Sequence, residues 1–250
     1  EMLKLPRARI EVICQCGEKF LAYEIGHFTR TVCDSCIAKE RAEEAERDRE
    51  EANAAAERAQ QERVRRAHVP VSWQKTTFES SDSKIHSTAF QACKNYAEQF
   101  KLSSPSLVIH SGVFGTGKTH LAACVINHLL HVRHMNVHFE KARDILFSIK
   151  NTYDKGSQEE ENDVLNRLLA CDLLVIDDLG VDKPTDWTAS TFWTIFDRRL
   201  ESGKPVLVTT NWLPVDEELG NRIGLGALSR LLGMCGENII TFKGRDLRRK

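Results

Sequence analysis

Eight consecutive residues constrain this chain more than any others: Gly112-Val113-Phe114-Gly115-Thr116-Gly117-Lys118-Thr119. The pattern is G-x-x-x-x-G-K-T. It stands between the apolar run Leu107-Val108-Ile109-His110-Ser111 and an amphipathic stretch over 118–132. A strand that turns through glycines into a helix gathers backbone N–H groups around one point, and the helix adds the positive end of its dipole. Such a loop cradles phosphate. Gly112, Gly115, Thr116, Gly117, Lys118, Thr119 and His120 are therefore the candidate nucleotide-binding residues. Lys118 is placed to neutralise the β- and γ-phosphates of ATP, and Thr119 to hold Mg²⁺.

The surroundings extend the pattern. Strand-like runs at 107–111, 137–139, 173–177, 206–209 and 239–242 alternate with helical segments at 118–132, 141–153, 188–201 and 225–232. This predicts an α/β fold, a P-loop ATPase core with a parallel sheet covered by helices. Leu173-Leu174-Val175-Ile176-Asp177-Asp178 is a buried strand ending in two carboxylates, the second half of an ATP site. Asp177 is expected in the Mg²⁺ shell. Asp178 stands where a base orients the attacking water; it is one methylene shorter than glutamate, which shortens its reach. Thr209-Thr210-Asn211 ends the fourth strand, and Asn211 is the first candidate to align water beside the γ-phosphate, with Thr210 second. Arg230, in Ser229-Arg230-Leu231, reads either as a finger on a neighbouring subunit's ATP or as a surface arginine, with Arg222 shortly before it. The basic end, 244–250, supplies a phosphate contact or a solvated tail.

The eight cysteines divide. Cys14, Cys16, Cys33 and Cys36 form C-x-C-G and C-x-x-C pairs, the spacing of a tetrahedral Zn²⁺ site. Four thiolates leave no open position, so the site is read as structural. A redox pair or disulfides are the alternative, and His27 is a substitute ligand. Phe20, Tyr23, Ile25 and Phe28 make too small a core to fold without metal. Cys93, Cys124, Cys171 and Cys235 lie in apolar contexts and read as core thiols. Between the cysteine pairs and the ATPase, residues 37–67 hold neither Gly nor Pro and are dominated by Ala, Glu and Arg. That is a helix polar all round, a solvated spacer with Glu43–Arg47 and Glu62–Arg66 at i,i+4. The organisation expected is 1–36 zinc module, 37–69 charged linker helix and 70–250 ATPase domain.

Composition excludes several classes. A chain of 250 residues and 41% hydrophobic content buries a real core. A net charge of −1 excludes a polybasic coat, but not a local basic patch. No apolar run is long enough for a membrane helix, and no apolar signal segment is visible at the N-terminus. The expectation is a cytoplasmic protein with no membrane partner.

From about residue 68 onward the chain resembles the DnaC/DnaI/IstB branch of AAA+ ATPases, closest to the DnaC loaders. The resemblance rests on G-T-G-K-T-H-L-A-A (115–123), A-R-D-I-L-F-S-I-K-N-T-Y (142–153), L-L-V-I-D-D-L-G-V (173–181), F-D-R-R (196–199) and L-S-R-L (228–231). It implies a AAA+ core without the C-terminal lid; only 39 residues follow Asn211. It implies that Arg230 is an arginine finger and Arg248 a second sensor. It implies an extra helical element over 141–170 that binds single-stranded DNA, with Lys150 and Tyr153 as contacts. The function implied is ATP-dependent loading of a hexameric replicative DNA helicase onto single-stranded DNA. Loading would proceed through self-association into an ATP-bridged spiral, with slow, DNA-stimulated hydrolysis. An IstB-like ATPase regulating DNA transposition is the alternative. The four-cysteine module departs from the DnaC pattern and leaves the helicase-facing surface open.

Overall fold

The computed structural model describes residues 9–25, 28–82, 87–153, 160–214, 217–242 and 246–247. The chain divides into two compact units, Glu1–Ala59 and Gln60–Lys250.

In the first unit, β1 (Arg9–Ile13) pairs antiparallel with β2 (Lys19–Ile25), and β3 (Phe28–Thr29) continues the sheet. The turn joining β1 to β2 carries Cys14 and Cys16. Its tightness depends on Gly17, whose φ of 89° lies in the left-handed region; the Gly17 N–H closes the turn onto Cys14 O at 2.9 Å. Helix α1 (Asp34–Arg66) follows Cys33 directly, so it starts ahead of residue 37 and includes Cys36. None of its residues is buried. Local pairs decorate its surface: Glu62 bridges Arg65 at 2.7 Å and Arg66 at 2.6 Å. Arg47 instead donates to the backbone oxygen of Glu43. The apolar content of this unit is meagre. Ile13 and Leu21 are more than 60% exposed, and among its described residues only Cys14, Ala22 and Cys33 are buried hydrophobics. His27 and the side chains of Ile25 and Phe28 fall outside the described residues.

The second unit takes in the last turns of α1, which are not a free spacer. Gln60 donates to Leu130 O at 2.9 Å, and Ala67 O accepts from Phe139 N at 2.8 Å. Ala67 and Val69 are buried there. Five strands form one parallel sheet: β4 (Leu107–His110), β5 (Val137–Lys141), β6 (Leu173–Leu179), β7 (Val206–Thr210) and β8 (Ile239–Thr241), in the order β5-β6-β7-β4-β8. Their near-continuous apolar sequences are what burial on both faces requires. Alternate residues feed two cores. Ile109, Val175 and Leu207 pack with α2 (Ser87–Gln99) and α3 (Lys118–His131). Val108, Ile176 and Val208 pack with five helices on the other face: α4 (Ala142–Asn151), α5 (Glu161–Ala170), α6 (Asp186–Glu201), α7 (Glu217–Ile223) and α8 (Leu225–Cys235).

The four scattered cysteines are buried, Cys93 and Cys124 in the first core and Cys171 and Cys235 in the second. Burial pushes the Cys93 and Cys235 thiols up to about 12. Arg199, from the F-D-R-R segment, is fully buried. It donates to Leu168 O at 2.9 Å, Cys171 O at 3.2 Å and Pro205 O at 2.7 Å, so it joins the end of α5 to the start of β7. That arginine is a scaffold residue.

Candidate functional site

The phosphate loop lies between β4 and α3, at the carboxyl edge of the sheet, where open parallel sheets bind ligands. Gly115 and Gly117 have φ of 73° and 98°, a backbone that side-chain-bearing residues rarely adopt. Gly117 is the N-cap of α3 and offers no side-chain cap, so the first N–H groups of the helix remain for an anion. A cavity of about 490 Å³ opens above them. Gly115, Thr116, Gly117, Lys118, Thr119 and His120 line it, as do Asp178 and Asn211. Gly112 stands just before, where β4 ends, with no atom within 4 Å of the position a Cβ would take.

Lys118 is buried, and its Nζ donates to Asn211 Oδ1 at 2.6 Å and to Val113 O at 3.2 Å. The loop lysine and the β7-tip asparagine therefore meet directly. Thr119 Oγ1 donates to Asp177 Oδ1 at 2.9 Å. The same carboxylate oxygen accepts from Thr209 Oγ1 at 2.6 Å. Burial raises the Asp177 carboxyl above the usual carboxylate range, against the hydrogen bonds that lower it. A hydroxyl beside a buried carboxylate is a donor set that suits Mg²⁺ carried on phosphate oxygens. Asp178 reaches the cavity on a left-handed backbone, φ 56°, held by its N–H donating to Thr209 Oγ1 at 2.9 Å. Non-glycine residues in this region concentrate at functional sites.

Thr209 is not legible as a site residue in the sequence. Its one signal is its place beside Thr210-Asn211 on the strand next to β6, and its contacts run to residues 31 and 32 positions away. Thr210, the second candidate, is occupied elsewhere: its hydroxyl donates to Leu179 O at 2.8 Å. His120 Nε2 pairs with Ser81 Oγ at 2.7 Å on the cavity wall, and burial lowers its pKa. Leu247 N donates to Gly115 O at 3.0 Å, so Leu247 lies against the loop. Arg248 lies outside the described residues.

Arg230 is not part of the cavity wall. It lies on α8, paired with Asp197 of α6. Lys150 is exposed near the end of α4, and Tyr153, just beyond it, is 56% exposed with its hydroxyl donating to Glu161 at 3.3 Å. Phe147, three residues before Lys150, is also exposed, out of phase with the buried Ile145, Leu146 and Ile149. That phase is the signal the sequence holds for it.

In the first unit, the sulfurs of Cys14, Cys16, Cys33 and Cys36 lie within 4.8 Å of one another. Cys14–Cys36 and Cys16–Cys33 stand 3.7 and 3.5 Å apart. Four sulfurs at about 2.3 Å around a tetrahedral Zn²⁺ are separated by about 3.8 Å, so the set fits that ion, and these distances are far too long for a disulfide. Backbone N–H groups of Cys16 and Cys33 lower the Cys14 thiol to about 6. The neighbouring thiol of Cys16, first among several, raises Cys36. Thiols this close cannot all ionise against one another, and a divalent cation removes the conflict.

The profile of the IstB-like ATP binding protein family matches residues 36–248. The chain belongs to that family. Among IstB-like relatives, the replicative helicase loader DnaC of Escherichia coli (strain K12) is 35% identical over 137 residues, 54% of this chain and 55% of DnaC. The phage-like element PBSX protein XkdC of Bacillus subtilis (strain 168) is 28% identical over 169 residues, 62% of this chain and 59% of XkdC. The matches to these curated relatives thus span little more than half of their length. A crystal structure of the DnaC helicase loader superposes with a TM-score of 0.60 at 20% identity, covering 70% of this chain and all of that one. The shared fold is the AAA+ core. Among the described residues, no helix is long and apolar enough to cross a membrane.

Proposed function

We propose that this protein is an ATP-dependent loader that places a hexameric replicative DNA helicase on single-stranded DNA. The observation that carries the ATP half is the meeting of Lys118 and Asn211 at 2.6 Å on a cavity that also holds Asp178. The glycine-rich backbone and Lys118 bind the phosphates. Thr119 and Asp177 would hold Mg²⁺, which would supply charge neutralisation at the phosphates. Asp178 orients the attacking water, and Asn211 fixes the γ-phosphate side of the site. With aspartate at the base position, turnover is slow. The loader half is supported by the likeness to DnaC.

Arg230 lies away from its own subunit's cavity and serves the ATP of a neighbour, so ATP bridges subunits into a spiral. Arg248 is the second sensor within the subunit. Lys150 and Tyr153, with Phe147 beside them, offer charge and stacking surface to single-stranded DNA, which stimulates hydrolysis. Cys14, Cys16, Cys33 and Cys36 hold a structural Zn²⁺. The protein works in the cytoplasm. The second reading is an IstB-like ATPase that regulates DNA transposition, kept because the matched family is described as IstB-like ATP binding proteins.

The test is steady-state ATPase activity with and without single-stranded and duplex DNA. The loader predicts stimulation by single strands and its loss in Tyr153→Ala and Lys150→Ala. Stimulation by duplex alone would favour the transposition reading, and turnover that persists in Lys118→Ala would overturn the site.

A further inference from the structure

Arg230 sits on α8 but is governed by α6. Its Nε–H donates to the Asp197 carboxylate, its Nη1–H donates to Gly226 O at 3.3 Å, and its guanidinium carbon lies 4.4 Å from the centroid of the Trp193 ring. Asp197 and Trp193 are four residues apart, on one face of α6. Gly226 permits this approach: a Cβ there would stand 3.1 Å from Trp193 Cδ1. Nε, Nη1 and one face of the guanidinium are thus engaged, and Nη2 makes no protein hydrogen bond among the described residues.

We infer that Trp193 and Asp197 are positioning residues, which hold Arg230 in the conformation it presents to the ATP of the adjacent subunit. The inference rests on the trans-acting role proposed for Arg230. An unrestrained arginine loses rotamer freedom when it docks on a phosphate. The ring beneath and the carboxylate on Nε remove that freedom before the subunits meet, which is preorganisation. Asp197 also balances the charge of Arg230 while the surface is being desolvated. A carboxylate that withheld the arginine from phosphate would occupy its Nη1–Nη2 end. Here it takes Nε and leaves an Nη group to the neighbour.

The experiment uses the full zinc-loaded protein, measuring kcat, KM for ATP and melting temperature. Arg230→Ala is expected to lose kcat by about a thousandfold while binding nucleotide. Mixing it with Lys118→Ala restores turnover, because the second variant supplies the missing arginine. Trp193→Ala lowers kcat about fivefold and Asp197→Ala about tenfold, with KM and melting temperature near wild type. Trp193→Phe, which keeps a ring face, recovers most of the loss. On the Arg230→Ala background neither substitution has a further effect. An Arg230→Ala protein with wild-type turnover would end the arginine role itself. If Arg230→Ala is impaired but the α6 variants are not, the arginine role stands and the positioning inference is wrong. It is equally wrong if Asp197→Ala hydrolyses faster, or if the α6 variants cost further activity without Arg230.

Discussion

Single residues divide sharply between those whose neighbours in sequence declare them and those whose partners come from afar. Lys118 and Thr119 belong to a contiguous motif, so their place is plain from the order of residues alone. Thr209 is the opposite case. One hydroxyl accepts from the Asp178 N–H and donates to Asp177, which fixes the Asp177 carboxylate and the backbone that carries Asp178. Thr209→Val keeps shape and burial but removes both bonds. It is expected to lower kcat about 10²-fold and to weaken Mg²⁺ dependence, with a loss of stability of about 1 kcal/mol. Kinetics against Mg²⁺ concentration and a melting curve check this. Arg199 makes the complementary case for stability. Its buried guanidinium serves three carbonyl oxygens at 2.7–3.2 Å. Arg199→Ala leaves them unpaired around a cavity, and chemical denaturation should show a loss of about 3 kcal/mol or more.

Elements show what periodicity and spacing can convey. The strands of the sheet are legible in the sequence because parallel strands buried on both faces are near-continuously apolar up to their carboxyl ends. The charged composition of 37–67 conveys a helix but not its docked end, since Gln60 and Ala67 are held by partners some 70 residues away. The cradle of Arg230 is hidden for the same reason, Asp197 lying 33 residues upstream. The cysteine ribbon is legible as a metal site because ligand spacing is local. Its described core is thin, so under the proposed structural Zn²⁺ the metal supplies the folding energy. Chelation should therefore unfold this element alone. Alkylation at pH 8 should label four thiols after chelation and almost none before. Cys93 and Cys235, pushed up to about 12, have only about 10⁻⁴ of their population as thiolate at that pH. Labelling of all eight would show that the two units melt together.

At the scale of the whole molecule, the net charge of −1 conceals a segregated distribution: a self-cancelling helix, the buried Asp177 beside the half-buried Asp178 at the ATP site, and a basic end. The fold is a AAA+ core in a family of ATP binding proteins, preceded by a cysteine ribbon. The site lies at the carboxyl edge of the sheet, while Arg230 stands on α8 outside the cavity wall. On the proposed trans role of Arg230 one subunit is incomplete for hydrolysis, so specific activity should rise with protein concentration and fall on dilution. Activity constant over a hundredfold dilution would argue against subunit sharing.

The most direct test of the whole account is size-exclusion co-elution with the replicative helicase of the same cell, with ATP and single-stranded DNA. The account predicts a stable complex with wild-type protein and ATP, and its loss with Lys118→Ala. A complex that forms equally well with Lys118→Ala, or no complex in any nucleotide state, would contradict ATP-dependent helicase loading.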